Sequence, residues 1–355
     1  MELTSIEFQN FRNYEKISVK INSKLVLLLG DNASGKTNFI EGVYFLSRLE
    51  SFRSPTQSLV KTGYDHLRIK AKNTTKTMEV VVQTDPVLRG VYKIDNVKTK
   101  KNFWSTFRIV NFLPNDLNLF IIGPALRRSF LNQALNQKYK TYSLDLLSLE
   151  HVLKQRSALL NSIFKKEARE QELVFWDEQL ADLALRISAL RREYILFIQK
   201  SFNETYQEIT DFKNKFSLVY TGLTEQANKT KFMEILYKKR QDEIRSGMNL
   251  IGPHRDDFII NKDGILNLNN SSRGELRSQI LVLKLLQARY LSYPGSQPII
   301  LLDDVFSELD EIRRTKLIEA LPDYQIFITT TEEHHLPKVN IDAQVLHIDN
   351  GKVIV

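Results

Sequence analysis

The most specific chemistry in this chain lies in Gly30, Asp31, Asn32, Ala33, Ser34, Gly35, Lys36 and Thr37, which fit the pattern G-x-x-x-x-G-K-[ST]. The two glycines let successive backbone N–H groups turn toward phosphate oxygens. Lys36 adds a point charge at the β and γ phosphates, and Thr37 offers a hydroxyl to Mg²⁺. Such a loop binds a nucleoside triphosphate, so the expected cofactors are ATP and Mg²⁺. A second set lies far downstream, where Asp303 and Asp304 end the apolar run 299–302. A carboxylate at the C-terminal edge of a buried strand can hold the metal, so Asp303 is expected to share Mg²⁺ with Thr37. Asp304, one residue further, is expected to orient or deprotonate the attacking water. The catalytic expectation therefore falls on Lys36, Asp303 and Asp304.

A third set, Ser272, Gly274 and Glu275, opens a run with Leu276, Ile280, Leu281, Leu283, Leu285 and Leu286 at helical spacing. A Ser hydroxyl and a Gly N–H at a helix N-terminus suit a second phosphate site. Ser with Glu three residues on is also an ordinary capping box.

These residues need particular elements to hold them. The apolar segment Leu25–Leu29 reads as a buried parallel strand before the loop, and Phe39, Ile40, Val43, Tyr44 and Leu46 recur as one helix face after it. The two halves of the nucleotide site lie at opposite ends of the sequence, so the middle must leave the head and return. Residues 1–120 and 251–355 are expected to form an α/β head, with 121–250 inserted as a mainly helical arm. In the arm, Trp176, Leu180, Leu183, Ile187, Leu190, Tyr194 and Phe197 step by four and three, while Leu126, Phe130, Ala134 and Leu135 mark a helix after Gly123-Pro124. Three heptads reach ~30 Å, which predicts a short coiled-coil arm. Lys238-Lys239-Arg240 and residues 226–231 are expected to be exposed on it.

Composition adds a charge argument. The 355 residues carry a formal charge of +8, from 50 Lys and Arg against 42 Asp and Glu, an excess that favours polyanions. Residues 1–120 hold +7, residues 121–250 hold +5 and residues 251–355 hold −4, so a basic surface for a polyanion is expected in the first two-thirds. The chain has no Cys, which excludes disulfides and thiolate metal sites. Residues 2–8 alternate like a strand and not like a signal peptide, and no apolar run approaches the ~20 residues that span a bilayer. The expectation is a soluble, cytoplasmic protein without a membrane partner.

With these motifs the chain resembles the ABC/SMC-like ATPases. The resemblance rests on the phosphate loop through Asn38, the Asp303-Asp304 strand, and Ser272-Arg273-Gly274-Glu275 as the signature motif. It extends to Ser307-Glu308-Leu309-Asp310 as the D-loop, Phe11-Arg12-Asn13-Tyr14, Ser51-Phe52-Arg53, Arg127-Arg128-Ser129-Phe130-Leu131 and, most specifically, Gly252-Pro253-His254-Arg255-Asp256-Asp257. The resemblance implies an ATP-dependent DNA-binding protein of recombinational repair and replication. It would form a homodimer on ATP, in which the signature of one subunit faces the nucleotide of the other, and hydrolyse ATP weakly as a switch. It would favour DNA with duplex and single-stranded parts, and work with RecO and RecR to load RecA. Arg53 stands where related heads place an arginine that senses nucleotide or DNA. Asn270 and Ser271, Asn115, the lack of a clear Q-loop glutamine, and Thr329-Thr330-Thr331 in place of a His depart from the pattern without removing a phosphate ligand. The motif at 252–257 concentrates opposite charges and reads equally as a structural ion-pair corner or as a link between arm and nucleotide. The alternatives are a subunit of another SMC-like complex, opposed by the short arm, and a transporter ATP-binding subunit, opposed by the insertion.

Overall fold

The computed structural model describes residues 2–101, 104, 106–223, 226–266, 271–331 and 342–354. Asn270, singled out from the sequence, lies outside the described residues, as do His334 and His335. Two compact units divide the chain, residues 1–116 with 287–355, and residues 117–286. Motif order groups 251–286 with the head, whereas compactness groups those residues with the helices.

The first unit holds two six-stranded sheets. One runs in the spatial order Lys352–Ile354, Ala343–Asp349, Leu25–Leu29, Ile326–Thr330, Ile299–Asp303, Ile109–Phe112; its pairings are parallel except the edge hairpin formed by the first two. Four buried residues in a row, Val26 to Leu29, fit a strand covered on both faces. The other sheet is an antiparallel meander over residues 3–99, and its strand His66–Asn73 alternates Leu67, Ile69 and Ala71 inward with Arg68, Lys70 and Lys72 outward. Helix Lys36–Arg48 lies between the two sheets. Its Phe39 ring stands 5.2 Å from Phe8 of the antiparallel sheet and 6.2 Å from Phe327 of the parallel one. Phe39, Ile40, Val43, Phe45 and Leu46 are almost wholly buried, each contributing about 1.5–3 kcal/mol of transfer free energy, so the helix after the phosphate loop is fixed by core packing on all sides.

The second unit contains helices Pro124–Lys138, Lys140–Phe164, Leu173–Thr210 and Lys229–Ser246 and a three-stranded antiparallel sheet of Phe216–Thr221, Asp257–Lys262 and Ile265–Leu266. Gly123 and Pro124 start the first helix as expected, with Pro at its first turn. Leu173–Thr210 is longer than the heptad pattern predicts. Its 38 residues reach about 57 Å rather than three heptads. Its buried stripe is also displaced. Leu180, Leu183, Ile187 and Tyr194 are buried as expected, but Trp176 and Leu190 are only half-buried and Phe197 is exposed, their places being taken by Asp177, Ser188 and Arg191.

Polar residues enter that stripe because each is paired. Arg156 is fully buried and donates to Asp177 at 2.7 Å, Glu243 at 2.6 Å and Asn249 at 2.7 Å. Arg191 donates to the Pro253 carbonyl at 2.6 Å and to Tyr142 and Asn132, both at 3.0 Å.

Candidate functional site

The phosphate loop leaves the C-terminal end of Leu25–Leu29 and turns into its helix at Lys36. Gly30 has φ +155° and Gly35 φ +125°, conformations that L side chains rarely adopt, and a Cβ on Gly30 would stand 2.1 Å from the Ile348 carbonyl oxygen. Ala33 also has positive φ, at 65°. Backbone of this kind persists only when its surroundings over-determine it. Here three neighbours grip the loop carbonyls. Asn13 Nδ2 donates to the Ser34 carbonyl at 2.9 Å, the Gly351 N–H donates to the same oxygen at 2.9 Å, and the Tyr14 hydroxyl donates to the Gly35 carbonyl at 2.9 Å. Asn38 Nδ2 donates in turn to Asn13 Oδ1 at 2.7 Å. With its carbonyls engaged from outside, the loop is free to aim its N–H groups inward.

Lys36 Nζ donates to the Gly30 and Asp31 carbonyls at 2.6 and 2.7 Å, which arches the side chain over the loop. An ammonium has three donors, so one remains for a phosphate. Burial pulls the Lys36 pKa below the ordinary lysine range, against the opposing pull of Asp304, Asp303 and Asp31.

Thr37 and Asp303 meet at the far side of the loop. The Thr37 hydroxyl donates to Asp303 Oδ1 at 2.9 Å, and the Thr329 hydroxyl donates to the same oxygen at 2.8 Å. Register explains the second contact, since Asp303 pairs with Thr329 on the strand between Leu25–Leu29 and Ile299–Asp303. Burial raises the Asp303 pKa, and the two hydroxyls oppose the rise. The next residue, Asp304, is exposed with φ 52°, and its N–H donates to Thr329 Oγ1 at 2.9 Å. One threonine hydroxyl therefore accepts from Asp304 while donating to Asp303. A hard oxygen donor pair, one carboxylate and one hydroxyl beside a phosphate loop, fits Mg²⁺, which takes one or two carboxylates and completes its shell with phosphate oxygens and water. Thr37 and Asp303 would hold the ion.

Residues without a role in the motif reading complete this wall. Glu41, on the phosphate-loop helix, is fully buried and accepts from Arg12 Nε and Nη2 at 2.8 and 2.7 Å, from Arg53 Nη2 at 2.7 Å and from Ser51 at 2.6 Å. The available signal was one carboxylate inside an otherwise apolar buried run. Phe11-Arg12-Asn13-Tyr14 is explained by the same contacts, Phe11 in the core, Arg12 on Glu41, Asn13 and Tyr14 on the loop.

The second unit carries the Ser272–Glu275 and 252–257 motifs. Ser272 stands before helix Arg273–Leu291, where its N–H donates to Glu275 Oε2 at 2.8 Å and the Glu275 N–H donates back to Ser272 Oγ at 3.3 Å. This is the capping box. It leaves the Ser272 hydroxyl proton available, and a Cβ on Gly274 would meet nothing within 4 Å, so the helix end is open to an approaching ligand. Glu275 is further paired with Lys262. In the 252–257 motif the ion-pair corner is what the contacts form. Asp257 accepts both nitrogens of an Arg127 fork at 2.7 and 2.8 Å, and Asp256 accepts from Ser188 at 3.0 Å and from Tyr220. His254 Nε2 lies 2.9 Å from the Asn249 carbonyl, while its buried Nδ1 has no hydrogen-bond partner.

A phosphate loop and an acidic strand end joined across one parallel sheet, with a capped signature helix elsewhere in the chain, define an ABC/SMC-type ATPase. The profile of the RecF/RecN/SMC N-terminal domain family matches residues 2–353, and the chain belongs to that family. It is 34% identical over 365 residues to the DNA replication and repair protein RecF of Streptococcus equi subsp. zooepidemicus, covering 99% of this chain and 98% of the relative. It is 35% identical over 363 residues to RecF of Streptococcus suis, covering 99% of each. Among solved structures, the recombination mediator protein RecF with ATP superposes with a TM-score of 0.88 at 29% identity, covering 99% of this chain and 96% of that one. An Smc head bound to a ScpA winged-helix domain shares the fold, with a TM-score of 0.58 at 13% identity and coverage of 100% and 97%.

Proposed function

We propose that this chain is an ATP-driven DNA-binding protein of recombinational repair and replication. ATP would close a homodimer on gapped or junction DNA, and slow hydrolysis would release it. The observation that carries the reading is the meeting of Thr37 with Asp303 beside the arched Lys36. Lys36 and the loop N–H groups would bind the β and γ phosphates, and Asp304, held off the strand end by Thr329, would orient the attacking water. Mg²⁺ bound by Thr37 and Asp303 would neutralise charge developing on the phosphates. Ser272 and Gly274 would complete the nucleotide site of the second subunit. In this reading the functional head is 1–120 with 251–355, and the arm is 121–250.

The DNA part rests on strand register. Lys16, Lys20, Arg68, Lys70, Lys72, Lys93 and Lys98 share the outward face of the antiparallel sheet, against Glu7 and Glu79. Lys93 lies directly opposite Lys98 and is paired with Glu79 at 3.6 Å, which also accepts from Arg68 at 2.9 Å, so this one carboxylate offsets only part of the basic face. The names of the relatives, DNA replication and repair proteins and members of a RecFOR pathway, support RecO and RecR as partners and a place in the DNA-damage response.

Gel filtration with ATP and gapped DNA, together with a salt titration of affinity, tests the proposal. Dimerisation on ATP is expected. Lys70→Glu and Lys72→Glu should each make the log–log salt slope shallower by about one, since each lysine neutralises one phosphate. A protein that stays monomeric with ATP and ignores DNA would end this reading.

A further inference from the structure

Glu41 is placed where a helix of a nucleotide-binding unit has no packing reason to carry a charge. Its neighbours Phe39, Ile40, Val43 and Tyr44 are core residues, and its own side chain is 0% exposed. Four hydrogen bonds saturate its two oxygens, three from guanidinium groups and one from Ser51. The two arginines it receives are not equivalent. Arg12 spends all three nitrogens, on both Glu41 oxygens, on the Ser58 carbonyl at 2.8 Å and on Ser54. Arg53 uses Nη2 alone, on Glu41 and Asn38, and its Nε and Nη1 make no hydrogen bond among the described residues. Arg12 is thus a fixture, and Arg53 a guanidinium held by one corner with the rest of its fork open. One carboxylate and two guanidinium groups leave the cluster with one positive charge in excess, and Arg53 is close enough to Asp303 to favour its ionised form. Arg53 lines an open groove with Arg12, Asn13, Asn38, Ser54 and Lys61, which begins at Asn38, the residue after the phosphate-loop Thr37.

We propose that Glu41 is a positioning residue for ATP hydrolysis: carried on the phosphate-loop helix, it anchors Arg12 and holds one corner of Arg53, so that the open side of the Arg53 fork is presented to an oxyanion at the phosphate site. The inference rests on the ATPase reading above. It assigns the gearing between loop and arginine to one buried carboxylate, because any shift of Lys36–Arg48 carries Glu41, and Arg53 with it. A Gln at this position keeps the volume and one acceptor oxygen but offers no charge to hold two cations.

The test compares wild type, Glu41→Gln, Glu41→Asp, Arg53→Ala and the Glu41→Gln/Arg53→Ala double variant. Phenylglyoxal modification of Arg53 and Arg12, followed by mass spectrometry, reads arginine placement without ATP. Turnover with and without duplex DNA reads the consequence, and thermal melting identifies folded variants. In Glu41→Gln, both arginines should react several-fold faster. Turnover should fall about tenfold, to the Arg53→Ala level, with no further loss in the double variant. Glu41→Asp, which keeps the charge, should recover part of both, and it supplies the comparison if Glu41→Gln fails to fold. Unchanged arginine reactivity, or additive losses in the double variant, overturns the proposal. A wild type that hydrolyses no ATP sinks the ATPase reading instead, and the modification rates still judge whether Glu41 holds the arginines.

Discussion

Thr37 and Asp303 stand 266 residues apart in sequence and 2.9 Å apart in space, hydroxyl to carboxylate, at the point where two strand ends face one phosphate loop. The contact exists because Leu25–Leu29 and Ile299–Asp303 flank the same strand, whose Thr329 supplies a second hydroxyl to the same oxygen. Binding and hydrolysis should therefore separate by residue.

Replacing Lys36 with Met should remove a charge-assisted contact of ~1.5–3 kcal/mol and weaken ATP affinity by roughly tenfold to 150-fold, with the fold retained. Asp304→Asn should keep ATP affinity within about twofold while hydrolysis falls by about a hundredfold or more. Calorimetric titration and phosphate release decide both. Parental turnover in Asp304→Asn would remove that residue from the mechanism.

The signature helix predicts a shared site. Ser272→Arg should leave ATP binding to Lys36 and Thr37 unchanged and block dimerisation, by placing a bulky cation at the open helix end beside Gly274. Mixed with Lys36→Met, it forms heterodimers with one doubly damaged and one intact site, which should regain hydrolysis relative to either variant alone. An ATPase assay on the mixture measures this, and full activity of Ser272→Arg as a monomer excludes a shared site.

In the helical unit, Arg156→Met should cost about 3–5 kcal/mol, because fully buried Glu243 would lose its guanidinium partner while Asp177 keeps only Arg240 at 2.7 Å. Urea denaturation reads the loss directly. A midpoint close to wild type would show that the buried cluster relaxes.

His254 gives a pH prediction. Burial, together with Arg255 and Arg128, lowers its pKa below the ordinary 6.5, while the Asn249 carbonyl opposes the fall. A depressed folded-state pKa means that the stability it contributes is present above pH 6.5 and lost as pH falls toward the folded value. The loss can reach about 1.4 kcal/mol for each pH unit in that window. His254→Gln should flatten melting temperature against pH below 6.5 relative to wild type. Parallel curves for the two proteins would exclude His254 as the titrating group.

The sites legible in the sequence were those written in contiguous strings. Gly30 to Thr37 and Asp303-Asp304 specify strand, turn and charge within a few residues, so motif and local structure coincide. The roles of Glu41, Thr329 and Gly351 were not legible, because each acts through a partner that only the fold brings alongside. Asp177 and Arg191 were passed over in the stripe for the opposite reason: on a helix a charge normally marks the solvent side, and only pairing with a buried charge from elsewhere, Arg156 for Asp177 and Asp256 for Arg191, reverses that rule. The basic face was half visible, as Arg68, Lys70 and Lys72 alternate, but its width needed the register of six strands.

The grip on the phosphate loop by the edge hairpin has a consequence for biosynthesis. Gly351 holds the Ser34 carbonyl, and Gly30 fits only against the Ile348 backbone. When the loop leaves the ribosome, it therefore lacks the surface that shapes it, and it waits through some three hundred further residues for Asp303, Thr329 and the hairpin. A nascent chain with its phosphate loop fully exposed cannot yet assemble a nucleotide site, and a message truncated before residue 343 should yield an inert product rather than an ATP-trapping fragment. Competence for ATP therefore follows the synthesis of the hairpin at residues 343–354, and shorter chains lack the assembled loop.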